Sequence, residues 1–474
     1  MKFQNFLPDV EFFSSIHNAS EIYAEYNINE KRDGFSKKFF TPIDSSLFAS
    51  YLRIVEIPKM DEELNEKKIV QRIRDFCVTF GNEDKVSPRV RIAGSLINDC
   101  IEYDLANARQ EYVRVKPGGW QIVQKSKYKF IKKTTTGAQI SPKETERSLM
   151  ELLKPYVNTD EDGLILFSVW LAQSFCQGNH SALLVMAEKG SGKTTLTKQI
   201  RQILDPSSLG VSSLPSKSDD FVTLLTNAYL VTFDNLDELT KSESDILCSA
   251  VTGATVAKRV LFQTNELGIF ELHNALVLNG IDIMPSESDL AERCILLNLK
   301  KISSSNRRLD SEIQTEFEAD LPEILGAVFN SLSKAMHFRK GAKTAKTPRM
   351  ADSYVEMLSI ALALGIDKEH FEKIYFSNIE KIDRERSNIV IVEAVKEYLF
   401  SERCTGRKFA GKASDVYKAI RNNYSGKVSN FPNSASHFSR KLRTEYAAFH
   451  AVGITVNIDD TRTDATYIEF IKNK

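Results

Sequence analysis

Apolar and polar positions alternate over short stretches in the first 135 residues, as in "EYVRV" (111–115) and "WQIV" (120–123), and take up a helical period in "EKKIVQRIRDFCVTF" (66–80). Alternation and helical period together predict a small α+β module over 1–135. "KPGGW" (116–120) reads as a turn, and the lysine-dense "KSKYKFIKKTTTG" (125–137) as a linker leaving that module.

The pattern then changes. "ERSLMELLKPYV" and "GLILFSVWLAQSF" carry helical periodicity, and four short apolar runs follow between 181 and 300: "ALLVMA", "YLVTFD", "ALVLNG" and "RCILLNL". Apolar runs of that length, separated by helix-length polar segments, predict strands buried on both faces of a parallel sheet. Residues 310–385 read as wholly helical, and 389–474 as a separate basic domain. The expected organisation is a multidomain α/β chain with an N-terminal module at 1–135, a core at 145–300, a helical lid or connector at 301–388 and a C-terminal domain at 389–474.

Composition narrows the class of protein without choosing its chemistry. The chain has 474 residues, 42% hydrophobic and 27% charged, the balance of a folded globular protein and too long for a single core. Lys+Arg and Asp+Glu are equal at 63 each, so only the local distribution of charge bears on a nucleic-acid partner. No apolar run is of bilayer-spanning length, and "MKFQNFLPDV" is interrupted before a signal-like core forms, which leads to the expectation of a cytoplasmic protein with no membrane partner. Six cysteines lie far apart without paired spacing and read as buried thiols.

The chemistry concentrates at "AEKGSGKTTLTKQI" (187–200), directly after the run "ALLVM". Ala187, Gly190, Ser191, Gly192, Lys193 and Thr194 fit the relaxed pattern [AG]-x4-G-K-[ST], with Thr195 following in the same turn. Glycines let backbone N–H groups turn inward around a phosphate, Lys193 adds a point charge, Thr194 offers a hydroxyl to Mg²⁺, and the helix beginning here aims its positive end at the same place. The alternative is a plain glycine turn ahead of a helix; strand before and helix after argue against it.

Three further residues have strand-end positions. Asp234 closes "YLVTFD", where a strand delivers a carboxylate to the Mg²⁺ shell. Asn235 follows it in place of the glutamate that polarises attacking water, so Asp237 and Glu238 become candidates for the base. Asn279, at the end of "ALVLNG", can hold water or sense a γ-phosphate, or can be an ordinary turn asparagine. Arg293, at the head of "RCILLNL", can reach a neighbouring subunit's phosphate, or pair on the surface with Glu292 or Asp289.

Taken in order, "AEKGSGKTT", "LVTFDN", "TGATVAKRVLFQTNE", "ALVLNGI" and "DLAERCILLNL" resemble the core of the superfamily-three and MCM-like AAA+ helicases of phages and mobile elements, the cassette and pathogenicity-island replication helicases of staphylococci among them. The resemblance implies an AAA+ P-loop ATPase core with a helical lid, ATP with Mg²⁺, and a homo-oligomeric ring, a hexamer, with single-stranded DNA in its channel. It implies a channel-facing β-hairpin carrying Lys258 and Arg259, with Gln263 to Gly268 as its tip; the alternative is a solvated strand. In "TPRMADSYVEMLSIALALG" (347–365) it makes Arg349 a second sensor at the nucleotide. It also implies replication partners encoded by the same element.

The tail adds its own signal. Between Arg403 and Arg443 stand ten Lys and Arg against one acid, Asp415. "ASDVYKAIRNNY" and "SASHFSRKLRTEYAAF" read as helix, turn, helix; Ala435, Phe438, Leu442, Tyr446 and Phe449 fall on one face of the second helix, and His437, Arg440, Lys441 and Thr444 on the other, with Arg443 close by. The alternating "ITVNI" and "TYIEFI" complete a winged helix, expected to grip duplex DNA or, alternatively, to dock protein. The expected function is an ATP-dependent DNA helicase in mobile-element replication. An ATP-switched origin-binding initiator is the alternative, and a metabolite kinase a third reading that the basic hairpin and tail oppose.

Overall fold

The structure, a computed structural model, describes residues 7–16, 21–29, 36–60, 64–80, 84–188, 190–215, 217–236, 239–259, 267–280, 288–342, 347–404, 406–425, 431–459 and 466–473. It forms two compact units: Met1–Ile283 with Glu292–Phe376, and Met284–Ala291 with Ser377–Lys474. The first unit therefore holds the segment expected as N-terminal module with most of the expected core and lid, residues 284–291 and 377–388 falling in the second.

In the first unit, β1 (Val10–Ser15), β2 (Ile22–Asn29), β3 (Ser36–Pro42) and β4 (Lys85–Val86) form a sheet in the order β3-β2-β1-β4. Ile22, Ala24 and Tyr26 alternate onto one face and pack with Phe48, Tyr51, Ile69 and Ile73 from the helices Ser46–Tyr51 and Glu66–Phe80. A second, antiparallel sheet runs in sequence order through β5 (Ile92–Ser95), β6 (Cys100–Asp104), β7 (Tyr112–Lys116) and β8 (Gly119–Val123). Its last hairpin turns at Pro117 and Gly118, with Lys116 opposite Gly119, as the turn signal in the sequence predicts.

The expected linker is corrected. Phe130 bridges Arg89, the Lys132 N–H donates to the Phe40 carbonyl, Lys129 pairs with the buried Glu25 at 2.7 Å, and Lys132 pairs with the buried Asp104 at 2.5 Å. The lysines are there to meet buried carboxylates, a need that composition does not reveal.

The remaining strands of this unit are β9 (Ala182–Met186), β10 (Leu230–Leu236), β11 (Thr255–Arg259), β12 (Leu267–Glu271), β13 (Ala275–Gly280) and β14 (Cys294–Asn298). Four of them make a parallel sheet in the order β10-β13-β9-β14. Every residue of β13 is buried, which is why its sequence is a continuous apolar run. Helices Lys193–Leu204, Ser218–Asn227 and Lys241–Thr252 separate the strands in sequence, and Thr240 with Glu243 caps the last through a reciprocal capping box. The helix Asp310–Arg339 supports the second sheet: the Trp120 indole N–H donates to the Asn330 side chain, and the Ser333 hydroxyl to the Lys116 carbonyl. β11 and β12 form an antiparallel hairpin in which Lys258 faces Gly268 and Arg259 faces Leu267. Gly268 is thus a strand residue, not part of the tip, and Gln263 to Glu266 lie outside the described residues.

A buried ion pair ties the second sheet to the parallel one. The Arg91 Nε donates to the Asp205 carboxylate at 2.9 Å, and its other nitrogens donate to the carbonyls of Asp104, Gly137 and Pro206. Asp205 also accepts from the backbone N–H groups of Tyr229 and Leu230.

The second unit contains residues 377–399 of the helix Lys368–Leu399, then β15 (Lys408–Lys412), the helices Ala413–Asn423, Ala435–Thr444 and Tyr446–Ala451, β16 (Ile454–Asp459) and β17 (Tyr467–Lys472). The strands pair antiparallel in the order β15-β17-β16, and Val416, Ile420, Phe438, Leu442, Phe449, Ile454 and Phe470 share its core. Tyr446 departs from its expected place on the core face and is 45% exposed. Glu445, at φ −112° and ψ 19°, ends one helix and starts the next, so the phase that buries Phe438 and Leu442 is lost at Tyr446. All six cysteines are buried free thiols, and no helix among the described residues is long and apolar enough to cross a membrane.

Arg91→Ala leaves the Asp205 carboxylate buried without its cation and is expected to cost about 3–5 kcal/mol. Denaturant titration measures it. Arg308→Ala, which breaks the exposed pair with Glu316, leaves the midpoint in place. Equal losses in the two variants would contradict the buried hub.

Candidate functional site

Parallel pairing places the ends of β9, β10 and β13 at one edge of the sheet, and the residues that follow them make the site. After β9 the chain turns through Gly190 and Gly192, at φ +80° and +82°, a region that residues with a Cβ seldom enter. Gly192 caps the helix Lys193–Leu204, whose first N–H groups face this loop's side of the sheet. The loop is braced from within: the buried Ser191 hydroxyl donates to the Glu188 carbonyl at 2.8 Å, and the Lys193 ammonium donates to the carbonyls of Ala187 at 2.5 Å and Glu188 at 3.4 Å. Glu188 in turn pairs with Lys301 at 2.8 Å, and that hydrogen bond holds its carboxyl below the usual carboxylate range. Thr195 lies on the first turn, half-buried.

The Thr194 hydroxyl donates to the Asp234 carboxylate at 2.9 Å. This contact joins two residues far apart in sequence at the mouth of the loop. Asn279 sits between them in sheet order, opposite Val185; it is fully buried, its amide N–H₂ reaches Thr197 Oγ1 at 3.4 Å, and its carbonyl oxygen has no partner among the described residues.

Asn235 explains its own identity. The β10–β13 register shifts between Phe233 and Leu236, and Asn235 takes φ +56° with its side chain exposed and its N–H on the Asp234 carboxylate. Asparagine enters the left-handed region more readily than most residues. Asp237 and Glu238, the alternative bases, lie outside the described residues.

Two arginines stand elsewhere. Arg293 precedes β14, its carbonyl accepting the Ala182 N–H at the start of β9. The length of β9, about 13 Å at the usual rise, separates that edge from the loop. Arg349 pairs with Glu292 at 3.0 Å, next to Arg293 in sequence and not at the glycine loop. Arg307, which the sequence reading passed over, is the arginine beside the loop: a Cβ placed on Gly190 would lie 3.1 Å from its guanidinium. No local motif announces it, since it follows β14 in an irregular, polar stretch.

Lys258 and Arg259 occupy the last two positions of β11. In the second unit, His437, Arg440, Lys441 and Arg443 share the helix Ala435–Thr444, with Arg440 and Arg443 exposed. Partial burial, with Arg440 and Lys441 adding to it, pushes the His437 imidazole below its ordinary pKa. Burial likewise lowers the Lys441 ammonium, opposed by Glu445 and aided by Arg384. Among the described residues no group of three or more His, Cys, Asp or Glu could hold a metal ion.

Residues 148–368, which contain the loop, Asp234, Asn279, Arg293 and Arg307, match the family described as "Actinomycete integrative conjugative element replication protein". No curated protein matches the chain. Among solved structures, the A-form apo structure of the NrS-1 C-terminal region is 11% identical, covering 99% of this chain and 98% of that one, with a TM-score of 0.37. A second apo structure of the same region is 12% identical over 99% and 97%, with a TM-score of 0.35.

The backbone at Asn235 gives a stability test. Asn235→Gly is expected to keep wild-type stability, and Asn235→Val to lose about 1–2 kcal/mol, because a β-branched residue is crowded at positive φ. Equal thermal midpoints for Val and Asn would contradict the left-handed turn.

Proposed function

We propose that this chain is an ATP-dependent DNA helicase acting in the replication of a mobile genetic element. Its first unit would contain a P-loop core of the AAA+ type, and its second a winged helix on DNA. The observation that carries the reading is the contact of Thr194 with Asp234 at the mouth of a loop whose glycines are left-handed and whose lysine is the next residue. Hydroxyl and carboxylate side by side are hard oxygen donors of the kind that suits Mg²⁺ shared with phosphates. Thr194 and Asp234 would hold Mg²⁺ there, and the ion would neutralise phosphate charge. Lys193 and the N–H groups at the start of its helix hold the β- and γ-phosphates. Asn279, buried with an open carbonyl oxygen, orients the attacking water.

The backbone of Arg293 lies at the edge of the sheet opposite the glycine loop, which supports its action on a second copy in a homo-oligomeric ring, a hexamer in this reading. Lys258 and Arg259 on the hairpin would meet single-stranded DNA, and His437, Arg440, Lys441 and Arg443 duplex phosphates. The family match over 148–368 supports a role in mobile-element replication and, with it, element-encoded partners. A second reading, an initiator that uses ATP as an assembly switch, draws support from Asn235: at that position a left-handed asparagine stands where hydrolysis would use an acid.

Strand displacement separates the two. Wild-type protein with ATP and Mg²⁺ is expected to release an annealed strand, and Lys193→Ala to lose both turnover and release while melting at the wild-type temperature. Hydrolysis without release, with or without partners, would leave the initiator reading.

Mixing tests the role of Arg293. Arg293→Ala and Lys193→Ala proteins, each inactive alone, should recover part of the ATPase rate when combined, because some interfaces then carry both native residues. An absence of recovery at every ratio would place Arg293 outside the shared site.

A further inference from the structure

A cavity of about 1250 Å³ opens from Gly190, Ser191, Gly192 and Thr195 into the first unit, roomy enough for a nucleotide. Away from the glycine loop, Val157, Leu164, Ile313, Leu364 and Ile366 supply apolar surface of the kind that receives a nucleoside. Its wall is a stitched one. The Asn158 side chain donates to the Lys300 carbonyl at 2.7 Å, the Lys300 N–H returns to the Asn158 carbonyl at 2.8 Å, and the Thr159 hydroxyl donates to the Asn298 carbonyl at 2.7 Å. These bonds fasten the segment after β14 alongside the loop that precedes the helix Glu161–Gln173.

That segment brings four cations to the cavity, Lys300, Lys301, Arg307 and Arg308, and two of them are engaged in ion pairs. Lys301 pairs with Glu188 at 2.8 Å and Arg308 with Glu316 at 2.5 Å. Arg307 lines the same cavity, is exposed, lies against Gly190, and has no ion-pair partner among the described residues. Arg349 is turned to Glu292 at the opposite edge of the sheet.

We infer that the nucleoside of a bound nucleoside triphosphate occupies this cavity and that Arg307, acting within the same chain, binds its phosphate chain, a place at the nucleotide that the family resemblance implied for Arg349. The inference rests on the proposed triphosphatase reading and adds to it a site for the base and a positioning residue. A planar guanidinium without an ion-pair partner among the described residues is matched to phosphate oxygens, and its closeness to Gly190 puts it on the glycine loop without chain movement.

Competition binding on the full chain tests both halves. A fluorescent ATP analogue is displaced by ATP or by inorganic tripolyphosphate, in wild type and in the variants Lys193→Ala, Arg307→Gln, Arg349→Gln and Ile366→Trp, each checked by its thermal melt. Arg307→Gln is expected to weaken both competitors about tenfold, the usual worth of a hydrogen bond to a charged group. Ile366→Trp, which puts an indole into the apolar part of the cavity, should weaken ATP and spare tripolyphosphate, and Arg349→Gln should leave both unchanged. Arg307→Gln binding like wild type while Lys193→Ala does not would overturn the role of Arg307 and leave the triphosphatase reading standing. An Ile366→Trp protein that treats the two competitors alike would remove the nucleoside from the cavity. If wild type binds neither competitor, the triphosphatase reading itself falls.

Discussion

The carboxylate of Asp205 is where three parts of the first unit meet. The residue's backbone N–H caps the helix that starts at Lys193 by donating to the Arg201 carbonyl, while its carboxylate receives the guanidinium of Arg91 from the second sheet and accepts the backbone N–H groups of Tyr229 and Leu230 as β10 begins. Burying a carboxylate this deeply, with 4% of the residue's surface exposed, is costly without such partners. Because helix and strand leave from one fixed point, their other ends, Thr194 and Asp234, arrive within hydrogen-bond distance. Two regular elements of set rise turn a buried ion pair into the registration of a site.

The parallel sheet distributes chemistry between its two edges. One edge gathers the glycine loop, Asp234 and Asn279, and the segment after β14 adds Lys301 and Arg307. The other holds Arg293 and the Arg349–Glu292 pair. Under the proposed reading this separation is what makes association with a second copy a chemical requirement, since a guanidinium a strand-length away contributes nothing to its own chain's phosphates. The proposed place of Arg307 gives each chain an arginine of its own for binding, distinct from the one it would lend.

Much of this was legible in the order of residues. The glycine loop, the buried runs of β9, β13 and β14, and the burial of Phe438 and Leu442 all follow from local rules: backbone freedom at glycine, burial on both sheet faces, and one apolar face per helix, whereas the hairpin of Lys258 and Arg259 was an expectation drawn from the family resemblance. Tyr446 was misplaced because a periodic pattern carries no sign of a break when the breaking residue, Glu445, is an ordinary helix former. The lysines of 125–137 looked like a solvated linker because their partners, Glu25 and Asp104, come from distant strands.

The sequence alone determined which groups the site could use: a lysine behind paired glycines, a carboxylate and an amide at the ends of apolar runs, and cations along one helix of the tail. Those are properties of a residue and its near neighbours, and composition and spacing carry them. Tertiary structure alone decided which of these groups meet. Strand order set Asn279 between the loop and Asp234, the turn after Phe233 made Asn235 a backbone choice, and the path after β14 brought Arg307 to Gly190 while Glu292 took Arg349 away. The physical reason is range: propensity and pattern act over a few residues, whereas charge pairing and sheet order are settled by contacts between segments that the chain sequence leaves far apart.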